Sequence, residues 1–106
     1  MVYKVEFSPE ARKDLFDIYY YVTVNDSIDK TDKLVQRLRY NCLKLSNLPY
    51  RGHKIKELVG EIEDCLEIST PPYRIIYEVK EDIVTILCVL DGRRNLLELL
   101  KDRLLR

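Results

Sequence analysis

The sequence predicts a single α+β domain, residues 1–106, in the order β-α-α-β-β-β-α. A helical hairpin should cover a mainly antiparallel four-stranded sheet, with a short helix at the C-terminus. Three observations carry this. Two long stretches in the first half repeat apolar residues at helical spacing. Short runs in the second half alternate, or are continuously apolar and β-branched, as strands do. With 46% hydrophobic and 34% charged residues and only three Gly and four Pro, the composition is that of a globular domain rather than a disordered chain.

Val2 to Phe7 puts Tyr3, Val5 and Phe7 on one face of a short strand. Ser8-Pro9-Glu10 then starts a helix, with Ser8 as N-cap, Pro9 at the first helical position and an acid in the first turn. Ala11, Leu15, Ile18 and Val22 form its apolar face, and Tyr19-Tyr20-Tyr21 close its far end. Asn25-Asp26-Ser27 marks a turn. A second helix begins at Ile28 or Asp29, carries the stripe Leu34, Leu38, Cys42 and Leu45, and ends at Pro49. Tyr50 to Gly60 is basic and turn-like. Ile62, Leu66 and Ile68 suggest a strand that Ser69-Thr70-Pro71-Pro72 interrupts. Pro72 to Val79 is the next strand, and Ile83 to Leu90 a third, buried on both faces. Glu81-Asp82 between them is a poor hairpin turn by residue preference. Asp91 to Asn95 leaves the sheet, and Leu96 to Arg106 forms a leucine-dense helix or a disordered tail.

Eighteen basic and eighteen acidic side chains cancel. A protein built mainly to grip nucleic-acid backbone carries net positive charge, so this balance argues against that class. Cys42, Cys65 and Cys88 are odd in number and lie among apolar residues, which fits buried free thiols in a reducing compartment. With one histidine and no CxxC pair, neither a metal site nor a cofactor is expected. No segment has the length of apolar run that a signal peptide or a membrane span needs, so the cytoplasm is the expected location.

In Pro72-Tyr73-Arg74-Ile75-Ile76-Tyr77-Glu78-Val79, alternation puts Tyr73, Ile75, Tyr77 and Val79 on a core face and Arg74, Ile76 and Glu78 opposite. Arg74 is then solvated, paired with a nearby carboxylate, or lining a groove. Glu67 fits either as a base beside it or as its ion-pair partner across the strands. His53, in RGHKIK, has the chemistry of a general base, although a lone histidine in a basic loop is more often simply exposed. Arg51, Lys54 and Lys56 suit either phosphate contact or a solvated loop. The three tyrosines suit base stacking, or packing of one or two of them. Six leucines between Leu96 and Leu105 exceed what one packed stripe needs. Leu96, Leu97, Leu100 and Leu104 are therefore expected to meet a partner.

The segments FSPEARKDLFDIYYYV, LPYRGHKIKEL, PYRIIYEV and ILCVLDGRRNLLELL, in this order, resemble the ParE/RelE superfamily of bacterial toxins. The resemblance runs from about Val2 to Arg103. It implies the toxin of a type II toxin–antitoxin system, of the kind that stabilises plasmids, inhibits growth and is neutralised by a cognate antitoxin, as a homodimer or a hetero-oligomer with that antitoxin. RelE-like members cleave mRNA on the ribosome without a metal, using lysines on the preceding strand, arginines and a C-terminal tyrosine. Arg74 and Arg94 match the arginines of that pattern. The lysine positions fall on Cys65 and Glu67, and the tyrosine position near Leu100. ParE-like members instead inhibit DNA gyrase and do not require those residues, so the resemblance favours that branch. Arg74, Arg93 and Arg94 become target- or partner-binding residues, with Arg74, Arg94, Glu67 and His53 as the catalytic set of the ribonuclease alternative. On this reading Arg74 and Arg94 face the surface, and alanine at either should leave the fold intact.

Overall fold

A computed structural model describes residues 2–105. Five strands form one sheet, β1 (Lys4–Phe7), β2 (His53–Lys54), β3 (Cys65–Thr70), β4 (Tyr73–Lys80) and β5 (Ile83–Asp91), in the order β1-β5-β4-β3-β2. The predicted four-stranded sheet thus gains a two-residue edge strand, β2, from the basic segment. β1 runs parallel to β5, and the other pairs are antiparallel. Gly52 permits β2 to approach. A Cβ there would stand 2.6 Å from the Tyr77 hydroxyl and 2.7 Å from the Glu67 carbonyl oxygen.

The helices α1 (Pro9–Asn25) and α2 (Ile28–Leu43) make the expected hairpin. Ser8 caps α1 by accepting from the Ala11 N–H at 3.0 Å, and Ser27 caps α2 by accepting from the Lys30 N–H at 3.1 Å. The chain leaves α2 earlier than Pro49, tightening into a 3-10 turn at Lys44–Ser46. α3 (Leu97–Leu104) is the C-terminal helix.

Two cores sandwich the sheet. The hairpin buries Ala11, Leu38, Cys42 and Leu45 against Ile68, Tyr73, Ile75, Tyr77, Val84 and Ile86. On the opposite face, α3 and the segment through a second 3-10 turn (Lys56–Leu58) bury Ile55, Leu58, Leu96 and Leu100 against Cys65, Ile76, Cys88 and Leu90. The three thiols are free and buried, and burial pushes Cys65 up to about 11 and both Cys42 and Cys88 up to about 12.

The unbroken apolar run of β5 has a specific cause. Tyr77 pairs with Ile86 but Ile76 pairs with Cys88, so Leu87 is an extra, bulged residue. The bulge flips the phase of alternation: Val84 and Ile86 face the hairpin before it, Val89 after it, and Cys88 and Leu90 turn to the α3 side. β1 pairs only as far as Ile86. Beyond that point Asp14 of α1 accepts from the Val89 N–H at 3.0 Å, and Arg103 of α3 donates to the Leu87 carbonyl at 3.2 Å. Arg103 also pairs with Asp14 at 2.8 Å, which ties both helices to the bulge. The Glu81-Asp82 turn is tolerated with Glu81 at φ 55°, a left-handed conformation that costs a non-glycine residue roughly 1 kcal/mol.

Candidate functional site

Arg74 lies on β4, on the face away from the hairpin, with Ser69 beside it on β3 and Leu90 on β5. It is not a surface arginine. Its side chain is 13% exposed, and both edges of the guanidinium are occupied. Nε and Nη2 donate to the two Glu67 oxygens at 2.7 Å each, and Nη1 and Nη2 donate to Glu57 at 2.7 and 2.8 Å. Glu57 comes from the 3-10 turn between β2 and β3, so the arginine clamps that segment onto the sheet. Gly92 presses on its stem, where a Cβ would stand 3.0 Å from Arg74 Cγ. Hydrogen bonds donated to Glu57 and then to Glu67 raise the arginine's pKa, and the bond accepted from Arg74 lowers that of Glu57. The ion-pair alternative for Arg74 and Glu67 is therefore realised, and the surface-facing reading is corrected.

A cleft of about 380 Å³ opens over this cluster, lined by His53, Lys56, Glu67, Ser69, Arg74 and Arg93 among others. His53 is exposed on the β2 edge with Nδ1 2.9 Å from the Lys54 carbonyl oxygen. Arg93 is held by Asp91 at 3.0 and 2.8 Å. An anion reaching Arg74 here must displace a carboxylate, and Glu67 has both oxygens engaged, which makes it a poor base. Of the expected arginine trio, only Arg74 and Arg93 share this cleft. Arg94 lines a separate one of about 520 Å³, between α1, the end of β5 and α3. The turn after β5 divides the two, sending successive side chains to opposite sides.

The leucine helix packs on its own domain. Leu96 is 2% exposed and Leu100 fully buried, and Leu97, Leu99 and Leu104 pack half-buried against the same core. Leu96 and Leu100 are thus taken up by this domain's own core and not free for the partner expected of them, whereas Leu97 and Leu104 keep part of their surface exposed. The excess of leucine is explained by a sheet face that the hairpin leaves uncovered. Tyr19, Tyr20 and Tyr21 are all exposed, contrary to the packing expected of one or two. Lys54 pairs with Glu63. Sequence reasoning missed Glu57, whose one signal is that it is the sole acid between Tyr50 and Gly60. Asp14 and Arg103 carry no local signal.

Residues 5–96 match the family described as the ParE toxin of the type II toxin–antitoxin system, parDE. The chain belongs to this ParE toxin family. Solved structures agree on the fold. The chromosomal ParDE toxin–antitoxin system from P. aeruginosa superposes with a TM-score of 0.72 at 20% identity, over 85% of this chain and 96% of that one. The RelBE2 toxin–antitoxin complex of Mycobacterium tuberculosis gives 0.65 at 21%, over 86% and 99%. A mutant of the E. coli toxin RelE in the free state gives 0.60 at 18%, over 87% and 85%. No curated protein sequence matches the chain. The ParE-family domain is thus a type II toxin fold. Among the described residues no helix is long and apolar enough to cross a membrane.

Proposed function

We propose that the protein is a cytoplasmic toxin that acts by binding, with DNA gyrase as its target and a cognate antitoxin as its inhibitor. The observation that supports binding over catalysis is the state of Arg74. Arg74 is neutralised by Glu57 and Glu67, leaving that three-residue cluster net negative where RNA cleavage needs cations against a charged phosphate. The positions of the missing ribonuclease groups agree. Cys65 is a buried thiol held protonated by its burial, and Leu100 is fully buried in the core. Membership of the ParE family supports gyrase as the proposed target. Induced expression should produce filamentation and DNA-damage signalling with bulk mRNA intact, and the purified protein should make gyrase accumulate cleaved plasmid. Codon-phased mRNA cuts within minutes of induction would overturn this reading.

A second reading, a ribosome-dependent endoribonuclease, draws on the cleft that gathers His53, Glu67 and Arg74. It requires His53 as the base, so His53→Ala would abolish mRNA cutting. If induction leaves growth unaffected, the domain is a non-toxic antitoxin-binding module.

A further inference from the structure

The overall charge balance hides a segregation. Lys33 to Lys56 holds seven of the eighteen basic side chains and none of the eighteen acidic ones, so the remainder of the chain is correspondingly acidic. On α2 and the turn that follows it, Lys33, Arg37, Tyr40 and Lys44 recur at helical spacing, which places them in one exposed row. Arg37 donates to the Pro71 carbonyl at 3.0 Å and Asn41 to the Thr70 hydroxyl at 2.8 Å, so this row borders the β3–β4 turn. Gly52 donates at 3.0 Å to the hydroxyl of Tyr77, a residue of the hairpin-side core. Arg51, also exposed, therefore emerges on the same side of the sheet as α2.

The cations of this face are not neutralised internally. Arg37 meets only a neutral carbonyl, and Lys44 lies over the Tyr40 ring at 5.2 Å, so both keep their full charge. The side chains of Lys33 and Arg51 have no hydrogen-bond or ion-pair partner among the described residues. Glu57 and Glu67 are held by Arg74 and Glu63 by Lys54, so none of these three reaches the row. From Lys33 to Lys44 the row spans ~16 Å at the helical rise, or about five base-pair steps of a duplex. Free cations in a line, with no acid among them, fit a polyanion whose charges also repeat along a line. The aromatic rings point to a duplex rather than a single strand. Base stacking needs a free ring face, whereas Tyr40 is capped by Lys44 and Tyr50 is engaged edge-to-face with Tyr3, centroids 6.4 Å apart.

We propose that this face is a contact surface for the backbone of duplex DNA, with Arg37, Lys44 and Arg51 as phosphate ligands and Lys33, one turn beyond Asp29, as a weaker fourth. The choice of DNA over another polyanion rests on the gyrase reading, in which the target itself holds a duplex. The chain's overall neutrality sets the strength. Three or four phosphate contacts give weak, sequence-independent binding, on the order of 10⁻⁴–10⁻⁶ M at physiological salt. Such a contact counts beside a protein target that already concentrates the DNA.

The test titrates full-length protein from cell-free synthesis into a fluorescein-labelled DNA duplex of mixed sequence, read by anisotropy from about 50 to 200 mM KCl. The logarithm of affinity should fall against the logarithm of salt with a slope of about −3. Arg37→Gln with Lys44→Gln should reduce that slope by about 1.8 and weaken binding about tenfold at the lowest salt. Lys33→Gln with Arg51→Gln, which leaves the Arg37–Pro71 bond in place, should act in the same direction. Lys80→Gln with Lys101→Gln removes equal charge elsewhere and should leave the slope unchanged. Absence of binding at the lowest salt, an equal loss in the Lys80 and Lys101 pair, or tighter binding of the matching single strand or RNA duplex would overturn the proposal. With gyrase and plasmid, Arg37→Gln with Lys44→Gln should raise the concentration giving half-maximal cleaved plasmid about tenfold, and an unchanged value would count against the surface. A protein that makes gyrase accumulate cleaved plasmid but does not bind the duplex defeats this proposal and leaves the gyrase reading standing. One that binds the duplex through this face without acting on gyrase defeats that reading and leaves the DNA surface standing.

Discussion

Replacing Arg74 with alanine tests the clamp directly. The substitution leaves Glu57 and Glu67 facing each other across the vacated volume, with side chains 20% and 7% exposed. Four charge-assisted bonds of 2.7–2.8 Å disappear. Removing one partner of a buried ion pair costs about 3–5 kcal/mol, mostly through the stranded charge. Glu57 has a path to water, which reduces the figure, so about 2–4 kcal/mol is expected. A domain of this length loses roughly 0.2 kcal/mol per degree near its midpoint, so Tm should fall by about 10–20 °C. Thermal melts and urea titrations followed by circular dichroism measure this. A triple variant, Arg74→Met with Glu57→Gln and Glu67→Gln, should recover most of the loss, because no charge is then stranded. A Tm within about 3 °C of the parent for Arg74→Ala would refute the reasoning. There is a practical corollary: a loss of toxicity in Arg74→Ala reports on target binding only if the melt shows a folded protein.

Three further outcomes are expected. Leu100→Ala should cost about 2–5 kcal/mol, because the side chain is fully buried between α3 and the sheet; an unchanged urea midpoint would return the leucine to a partner-facing role. Cys42 and Cys88 should resist a bulky thiol reagent in the native state and react only on unfolding, and equal rates in both states would refute their placement in the two cores. Glu57 has a carboxyl pKa lowered by Arg74, so its contribution is fully present above its ordinary value of 4.5 and is lost as pH falls through the folded value. Glu57→Gln should therefore flatten the acid limb of the stability profile below about pH 4.5, and parallel acid limbs in parent and variant would count against the pairing.

The sequence by itself determined the elements whose cause is local. Ser8-Pro9 and Ser27 cap their helices through groups within three residues, and the β4 alternation sorts Tyr73, Ile75 and Tyr77 from Arg74 and Ile76 without reference to any other strand. It also determined the family, because several modest motifs in a fixed order are specific together. The tertiary structure decided everything that depends on which distant groups meet. Arg74 finds its carboxylates 7 and 17 positions away, through strand register and a 3-10 turn that no periodicity announces. Asp14 and Arg103, 89 positions apart, meet at a bulge whose phase flip is invisible in an unbroken apolar run. The leucines of α3 read as surplus only while the second sheet face goes uncounted. A side chain's periodicity states which way it points, but its charge partner, its burial and hence its role are fixed by what the rest of the chain places there.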